Sequence, residues 1–230
     1  ALPLAQLMRH PPERYGLTPD GEPRQAEDGA ARPVETRSYT AREAMATPAF
    51  WYISVGHAAA LLVVSAVMVH MIIHVTERLG YSLHQAGAVV ALLTVMQITG
   101  QLTGGWLGDR FSKRRICAAC MLGHAAALMV LALATAFWMV LLFAVLHGLS
   151  WGMRGPLMAA IRADYFGSRS FGMISGVSSM VIMFGMMLGP LVAGILADRT
   201  GSYVPGFSVL AACAAAGSIA FLLARRPAAR

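Results

Sequence analysis

GQLTGGWLGDRFSKRR, residues 100–115, is the part of the chain that indicates its architecture most clearly. It ends a long apolar run that contains four glycines, turns abruptly to Asp109 and Arg110, and reaches three consecutive bases before a second apolar run begins. Small residues let two helix backbones approach closely inside a membrane. Clustered bases are typical of a cytoplasmic loop. The stretch therefore predicts a short loop between two closely packed membrane-spanning helices.

The composition agrees with a membrane protein. The 230 residues are 57% hydrophobic and 13% charged, which is too apolar for an ordinary soluble domain. The formal net charge of +7 does not indicate nucleic-acid binding, because the bases lie between apolar runs rather than on one soluble face. Cys117 and Cys120 have CxxC spacing, but without a second pair or a histidine motif they predict buried packing residues. We therefore expect no metal and no cofactor.

Six apolar segments are long enough to cross a bilayer, which takes about 20 residues in a helix. They show no period-2 alternation, so helices rather than barrel strands are expected. The segments cover residues 49–74, 84–108, 116–135, 137–161, 171–197 and 203–224. The predicted fold class is all-α, a polytopic membrane protein with a six-helix domain over residues 49–225 and a cytoplasmic tail at 226–230.

Residues 1–48 differ in kind from the rest of the chain. Residues 1–8 are apolar but too short to span a membrane, and they resemble the end of a helix. Residues 9–48 are rich in Pro, Gly, Glu and Arg, which predicts a solvated linker with a short amphipathic helix at 40–46. If this linker is cytoplasmic, fifteen of the eighteen Lys and Arg residues lie on that side. The positive-inside rule then predicts an inner or plasma membrane protein with both termini cytoplasmic.

An internal repeat appears when the first stretch is shifted by 89 positions. GQLTGGWLGDR at 100–110 aligns with GPLVAGILADR at 189–199, with six of eleven positions identical. Three spans is an odd number, so a repeat of three-helix units must invert its topology. Such inverted repeats are typical of secondary transporters. The sequence therefore predicts a 3+3 inverted repeat.

These residues also resemble a known family. GWLGDRFSKRR at 105–115 is similar to the loop signature of the major facilitator superfamily, G-x-L-x-D-R-x-G-R/K-R/K, with Ser112 in place of a glycine. Residues 12–21, 162–172 and 189–203 resemble segments of its monocarboxylate and oxalate/formate branch. The resemblance implies the C-terminal six-helix half of a twelve-helix transporter, with residues 1–8 ending the sixth helix. It also implies a missing N-terminal six-helix half as the partner.

Arg154 is the sharpest candidate for a solute-binding residue. It lies deep in the fourth span beside Gly152, Gly155 and Pro156, which would permit local opening of the helix. An arginine in the membrane costs at least about 2.5–3.5 kcal/mol unless it faces a cavity or a partner. Its planar guanidinium suits a carboxylate or another anion. Snorkelling towards the cytoplasm, or a structural pair with the missing half, are the alternatives.

Other polar and soft side chains are weaker candidates for the solute site. Gln101 stands where carboxylate carriers of this branch have an arginine, and it either binds a polar solute or packs between helices. Trp151 and the run Met180–Met187 either line a cavity or pack in the bundle. His70 and His74 share one helix face, where they either sense protons or bond to neighbouring carbonyls.

Charged residues near the ends of spans predict a gate. No Asp or Glu falls in the middle of a span, whereas ion pairs at the membrane faces can form in one state and break in another. The predicted gating residues are Asp109, Arg110, Arg114, Asp164, Asp198 and Arg199.

The sequence favours secondary transport of a small organic solute across a lipid bilayer, with a carboxylate or other anion as the first candidate. Alternating access between two halves is the expected mechanism. The alternative is a membrane module that does not transport, such as a sensor or a truncated transporter. We expect no enzyme, because the HExxH and GxSxG motifs and an intramembrane Asp pair are absent. The sequence also shows no nucleotide-binding loop.

Overall fold

The chain folds as a bundle of α-helices, as the sequence predicts. The computed structural model describes residues 38–227, so the predictions for residues 1–37 and 228–230 lie outside it. A short helix, α1 (Ala41–Met45), precedes α2 (Pro48–Ile73), α3 (Leu83–Arg110), α4 (Lys113–Ala132), α5 (Phe137–Phe166), α6 (Phe171–Thr200) and α7 (Val204–Leu223). The π-helical segment His74–Arg78 extends α2. Helices α2 to α7 are each long and apolar enough to cross a membrane.

Side-chain caps fix several helix starts. Thr40 begins α1 by accepting a hydrogen bond from the Glu43 backbone, and the Glu43 side chain accepts from the Thr40 backbone in return. Ser82 and Gln85 form the same capping box at the start of α3. Such reciprocal bonds satisfy backbone N–H groups that have no partner inside the helix. The predicted helix at 40–46 is therefore confirmed.

Two helices extend further into charged sequence than hydropathy indicates. Helix α5 continues to Phe166, so Arg162 and Asp164 lie on the helix rather than in the loop after it. The bases at 113–115 form the first turn of α4, which leaves only residues 111–112 as the loop. Hydropathy marks the apolar length of a span, whereas a helix continues wherever its backbone hydrogen bonds remain satisfied.

The helix pairing has the symmetry of an inverted repeat. Helix α3 packs along α5 and α2 packs along α6, while α4 packs on α5 and α7 packs on α2. Helices α4 and α7 pack on each other. Exchanging α2–α4 with α5–α7 leaves this set of pairs unchanged. The bundle therefore has the arrangement that a 3+3 inverted repeat requires.

The repeated glycines mark the closest helix crossings. A Cβ atom on Gly100 would lie 2.6 Å from the Leu149 carbonyl oxygen on α5. A Cβ atom on Gly189, 89 positions later, would lie 2.0 Å from the Leu62 carbonyl oxygen on α2. Both distances are too short for any side chain. The matched positions thus make equivalent contacts in the two units.

The six spans follow an arc with one open side. Its order is α3, α5, α4, α7, α2 and α6, because these neighbours pack along one another, whereas α5 touches α6 only briefly. We call the gap between the α3–α5 and α2–α6 pairs the open side. Spans α3 and α6 at the two ends of the arc are the least buried of the six.

The two ends of the bundle also differ. We call the end that carries α1 and the α3–α4 and α5–α6 loops the basic end. There the Tyr39 N–H donates to the Phe166 carbonyl at 2.8 Å, and Ser38 packs against Gly167, whose φ of +76° suits glycine. When the π-helical segment is counted as part of α2, each loop between consecutive long helices contains only two to four residues.

Candidate functional site

A polar network crosses the open side towards the basic end. On α5, Arg162 Nη2 donates to His57 Nδ1 on α2 and to Ser178 Oγ on α6, both at 3.0 Å. The Ser54 hydroxyl on α2 donates to Ser178 Oγ at 2.9 Å. Arg162, Ser178 and Ser54 are buried, and His57 is half-buried. The network therefore ties together the two inverted units where their helices make few direct contacts.

The predicted site did not include this network. The apolar pattern ends the fourth span at residue 161, just before Arg162, and its partner His57 lies 105 positions earlier in the chain. The available signal is local: Ser54 and His57 are three residues apart and therefore lie on one face of a mostly apolar helix. Isolated polar residues on one face of a span indicate an interior contact or a cavity. The identity of the partner required the structure.

Arg154 lies about two turns before Arg162 on α5, near Cys117 and Cys120 of α4. Its exposed fraction is 1%, and its Nε and Nη1 atoms have no hydrogen-bond partner within residues 38–227. The Nδ1 atoms of His124 and His147 lie 3.2 Å apart, and in the antiparallel register that they set, Cys117 lies opposite Arg154. Snorkelling is not what this conformation shows, because the guanidinium is closed off from both ends.

Neither buried guanidinium group has a carboxylate partner within residues 38–227. The one ion pair between residues of the described range 38–227 joins Lys113 Nζ to Asp164 Oδ2 at 2.8 Å. Arg154 and Arg162 are 1% and 8% exposed. A buried charge without a counterion is strongly unfavourable. The six-helix bundle therefore carries two buried positive charges that an anion would stabilise.

The two histidines at the far end of α2 bond to the protein itself, His70 through both ring nitrogens and His74 through Nε2 alone. His70 Nε2 donates to the Pro190 carbonyl at 3.0 Å, since a carbonyl can only accept, and the Tyr203 hydroxyl donates to His70 Nδ1 at 3.2 Å. Burial raises the pKa of Tyr203, so this hydroxyl keeps its proton. His74 Nε2 donates to the Leu131 carbonyl at 3.2 Å. This matches the carbonyl-bonded alternative of the sequence prediction.

The remaining predicted solute residues lie apart from one another. Gln101 is exposed on α3, and Trp151 is half-buried on α5 with its ring 6.3 Å from that of His147. In the methionine-rich run, Met180 and Met183 are 65% and 59% exposed. These methionines are thus not packed inside this half of the bundle.

Of the predicted gating residues, Asp164 alone forms an ion pair between residues of the described range 38–227. Asp164 bonds Lys113, not an arginine, because the first turn of α4 lies beside the last turns of α5. The pair lines a cavity of about 380 Å³ together with Arg114, Tyr165 and Arg226. The partner of Asp164 is therefore Lys113, a base that the sequence prediction did not name.

The repeated Asp-Arg pairs at the helix ends make no ion pair within residues 38–227. Asp109, Asp198 and Arg199 are exposed in the last turns of α3 and α6. The Arg110 guanidinium lies 4.0 Å from the centre of the Trp106 ring, which is cation–π geometry.

A family model decides the assignment. The model described as the Major Facilitator Superfamily matches residues 53–230, which covers all or nearly all of each of the six spans. The chain belongs to the major facilitator superfamily. The predicted family is thereby confirmed, and membrane transport of solutes is the activity that membership supports.

Several transporters of the superfamily are similar over about half of this chain. Monocarboxylate transporter 12 of Rattus norvegicus is 31% identical over 133 residues, covering 56% of this chain and 27% of that protein. The multidrug resistance protein B homolog of Mycobacterium tuberculosis is 30% identical over 115 residues, covering 50% of this chain and 20% of that protein. The tetracycline resistance protein, class H, of Pasteurella multocida is 27% identical over 116 residues, covering 49% and 28%.

The matched part of this chain thus spans only 20% to 28% of the length of these superfamily relatives. Their names describe transporters and resistance proteins rather than enzymes. The polar residues discussed above form three groups in the described chain: a buried cluster around Arg154, a network around Arg162 at the open side, and charged groups at the basic end.

Proposed function

We propose that the chain is one half of a secondary transporter that carries a small organic anion by alternating access. Membership of the superfamily supports transport. The burial of Arg154 and Arg162 without a carboxylate partner in residues 38–227 is the observation that favours an anion. A carboxylate would supply the missing counter-charge and accept charge-assisted hydrogen bonds. The monocarboxylate transporters among the relatives make monocarboxylates the first class to test.

Alternating access needs a second wall for the solute cavity. We propose that a companion six-helix half faces the open side, and that the two halves rock about the solute. We also propose that the basic end is cytoplasmic in an inner or plasma membrane. Arg78 and Arg199 are the bases that the described chain places at the opposite end, so the positive-inside rule favours this orientation.

Arg154 is the proposed anion clamp, with Gln101 and Trp151 as secondary contacts. Since Arg154 is closed off in this conformation, it would meet the solute after α5 opens. Pro156 leaves the Gly152 carbonyl without its intrahelical donor, which weakens the helix beside Arg154. His70 remains a weaker prediction, because the protein uses both of its nitrogens here.

Uptake by proteoliposomes tests this function. The natural full-length protein would be reconstituted and supplied with labelled lactate, oxalate and the neutral analogue lactamide. We expect saturable uptake of at least one anion and none of lactamide. Arg154→Met should lower kcat/KM for that anion by about 10- to 100-fold, the worth of a hydrogen bond to a charged group.

The control for this test is Arg225→Met, which removes an exposed base at the basic end and should leave uptake unchanged. An Arg154→Met variant with wild-type kcat/KM would contradict the anion clamp. If none of the three compounds enters, the anion proposal fails and the alternative of a membrane module that does not transport is favoured.

A second candidate function is movement of a lipophilic solute. Met183 and Phe184 are 59% and 63% exposed on α6, and soft flexible methionine suits varied apolar ligands. Relatives named as multidrug and tetracycline resistance proteins agree with this candidate. Transport of labelled tetracycline that lactate does not inhibit would favour it over the anion proposal.

A further inference from the structure

We infer that His57 forms a carboxylate-binding subsite at the open side, held in place by Arg162. The inference rests on the proposed function, because it takes the solute to be an organic anion. It adds a binding group on α2, the span that faces α5 across the opening. The contact atom is the Nε2–H of His57.

The hydrogen bond from Arg162 fixes the tautomer of His57. A guanidinium can only donate, so His57 Nδ1 accepts from Arg162 Nη2 and the ring hydrogen must lie on Nε2. Nε2 forms no hydrogen bond within residues 38–227, and it is not fully enclosed by the protein. The side chain therefore offers one free donor at an accessible position.

The surroundings of this donor are positive. The charges of Arg154 and Arg162 both act on the His57 ring. Arg162 itself is only 8% exposed, and its Nε atom is buried without a partner in the described chain. No carboxylate belongs to the network of His57, Arg162, Ser178 and Ser54. An anionic oxygen that accepts from Nε2–H would thus be stabilised by a guanidinium directly behind the ring.

A free ring nitrogen alone does not separate binding from packing, because three buried histidines also have one, but their free nitrogens are enclosed and Nε2 of His57 is not. His70 has both ring nitrogens bonded to the protein, as expected for a histidine that only joins helices. His57 has one nitrogen bonded and one available. Arg162 acts through His57, so we describe it as a positioning residue, and Ser178 and Ser54 complete its support.

Two substitutions of His57 separate the two nitrogens. In His57→Asn, the side-chain oxygen can replace Nδ1 as the acceptor for Arg162, but the distal donor is lost. In His57→Gln, the longer side chain restores an N–H near the position of Nε2. In lactate uptake by the full-length protein, we expect His57→Asn to raise KM by about tenfold or more with kcat little changed. His57→Gln should return KM towards the wild-type value.

Unchanged KM in His57→Asn would overturn the subsite while leaving the proposed function intact. Equal impairment in His57→Asn and His57→Gln would also overturn it, since it would indicate a packing role. Failure of the wild-type protein to take up any anion would remove the proposed function and this inference together.

A spectroscopic readout does not depend on the asparagine variant folding. In wild-type protein labelled with 15N-histidine, lactate should shift the Nε2–H signal that His57→Gln removes, and lactamide should not. A signal that is insensitive to lactate in a protein that transports lactate would overturn the subsite.

Discussion

The two three-helix units pack alike but carry different chemistry. Gly100 in the first unit and Gly189 in the second both meet the backbone of a helix in the other unit. The two buried arginines of the described chain, Arg154 and Arg162, both lie in the second unit, on α5. The positions 89 residues earlier, on α2, are Ser65 and Ile73. The two units therefore share a helix crossing, whereas the buried charges distinguish one unit from the other.

The largest expected effect concerns the crossings that the units share. Gly152→Ala and Gly189→Ala each place a Cβ about 2.0 Å from a backbone oxygen of a facing helix, so the helices must separate. We expect each change to lower the free energy of unfolding by about 1–3 kcal/mol or more. The measurement is the denaturation midpoint of the full-length protein in detergent.

Gly105→Ala and Gly176→Ala are the matched controls, because no atom of a facing helix lies within 4 Å of where their new Cβ atoms would be. Alanine favours a helix over glycine by about 1 kcal/mol, so these variants should be as stable as the wild type or slightly more so. Loss of stability at only one of the two crossings would break the packing symmetry between the units.

The second prediction distinguishes the two buried arginines of the second three-helix unit. Arg162→Met leaves His57 Nδ1 without its donor and leaves Ser178 Oγ with Ser54 as its one remaining donor in the described network, so we expect a loss of about 1–3 kcal/mol in stability. Arg154→Met removes a buried charge that has no carboxylate partner in the described chain, so stability should stay the same or rise. Thermal denaturation of the two variants side by side gives the comparison.

Equal destabilisation by the two arginine substitutions would show that Arg154 has a structural partner outside residues 38–227. The distinction between an open-side network and an unpaired buried charge would then need revision.

The smallest expected effect concerns the repeated aspartates. We propose that Asp109 and Asp198, with Arg110, Arg114, Asp164 and Arg199, take part in gating at the two ends of the bundle. Asp109→Asn and Asp198→Asn should each lower kcat by about two- to fivefold, the effect of losing one exposed ion pair in one state. KM should change less than kcat. The measurement is initial uptake rate against solute concentration.

An aspartate variant that raises KM at unchanged kcat would contradict the gating role. Asp164→Asn is the matched comparison, because its ion pair with Lys113 already exists in this conformation.

Sequence patterns predicted the architecture because its causes are local. Apolar length defines each span, and the repeated glycines and Asp-Arg pairs defined the inverted units. The predicted end of α5 at residue 161 is wrong, because the helix continues through Arg162 and Asp164 to Phe166. Local composition cannot show where such an interfacial helix stops.

The candidate site was less predictable because it depends on which way a side chain turns. The sequence placed Arg154 correctly inside a span, but whether it faces α4 or the open side depends on the packing of neighbouring helices. The contact of Arg162 with His57 joins residues 105 positions apart. No spacing rule connects two helices from different repeat units, so this pair required tertiary structure.

The short loops restrict how the bundle can move. Each of the six spans is tied to the next by two to four residues, which reach at most about 7–14 Å when fully extended, so the linked helix ends must stay close together. The remaining internal freedom is bending within a helix, for which Pro156 and Pro190 are the weak points. We therefore expect a large displacement of this six-helix domain to move the linked spans together as one rigid body.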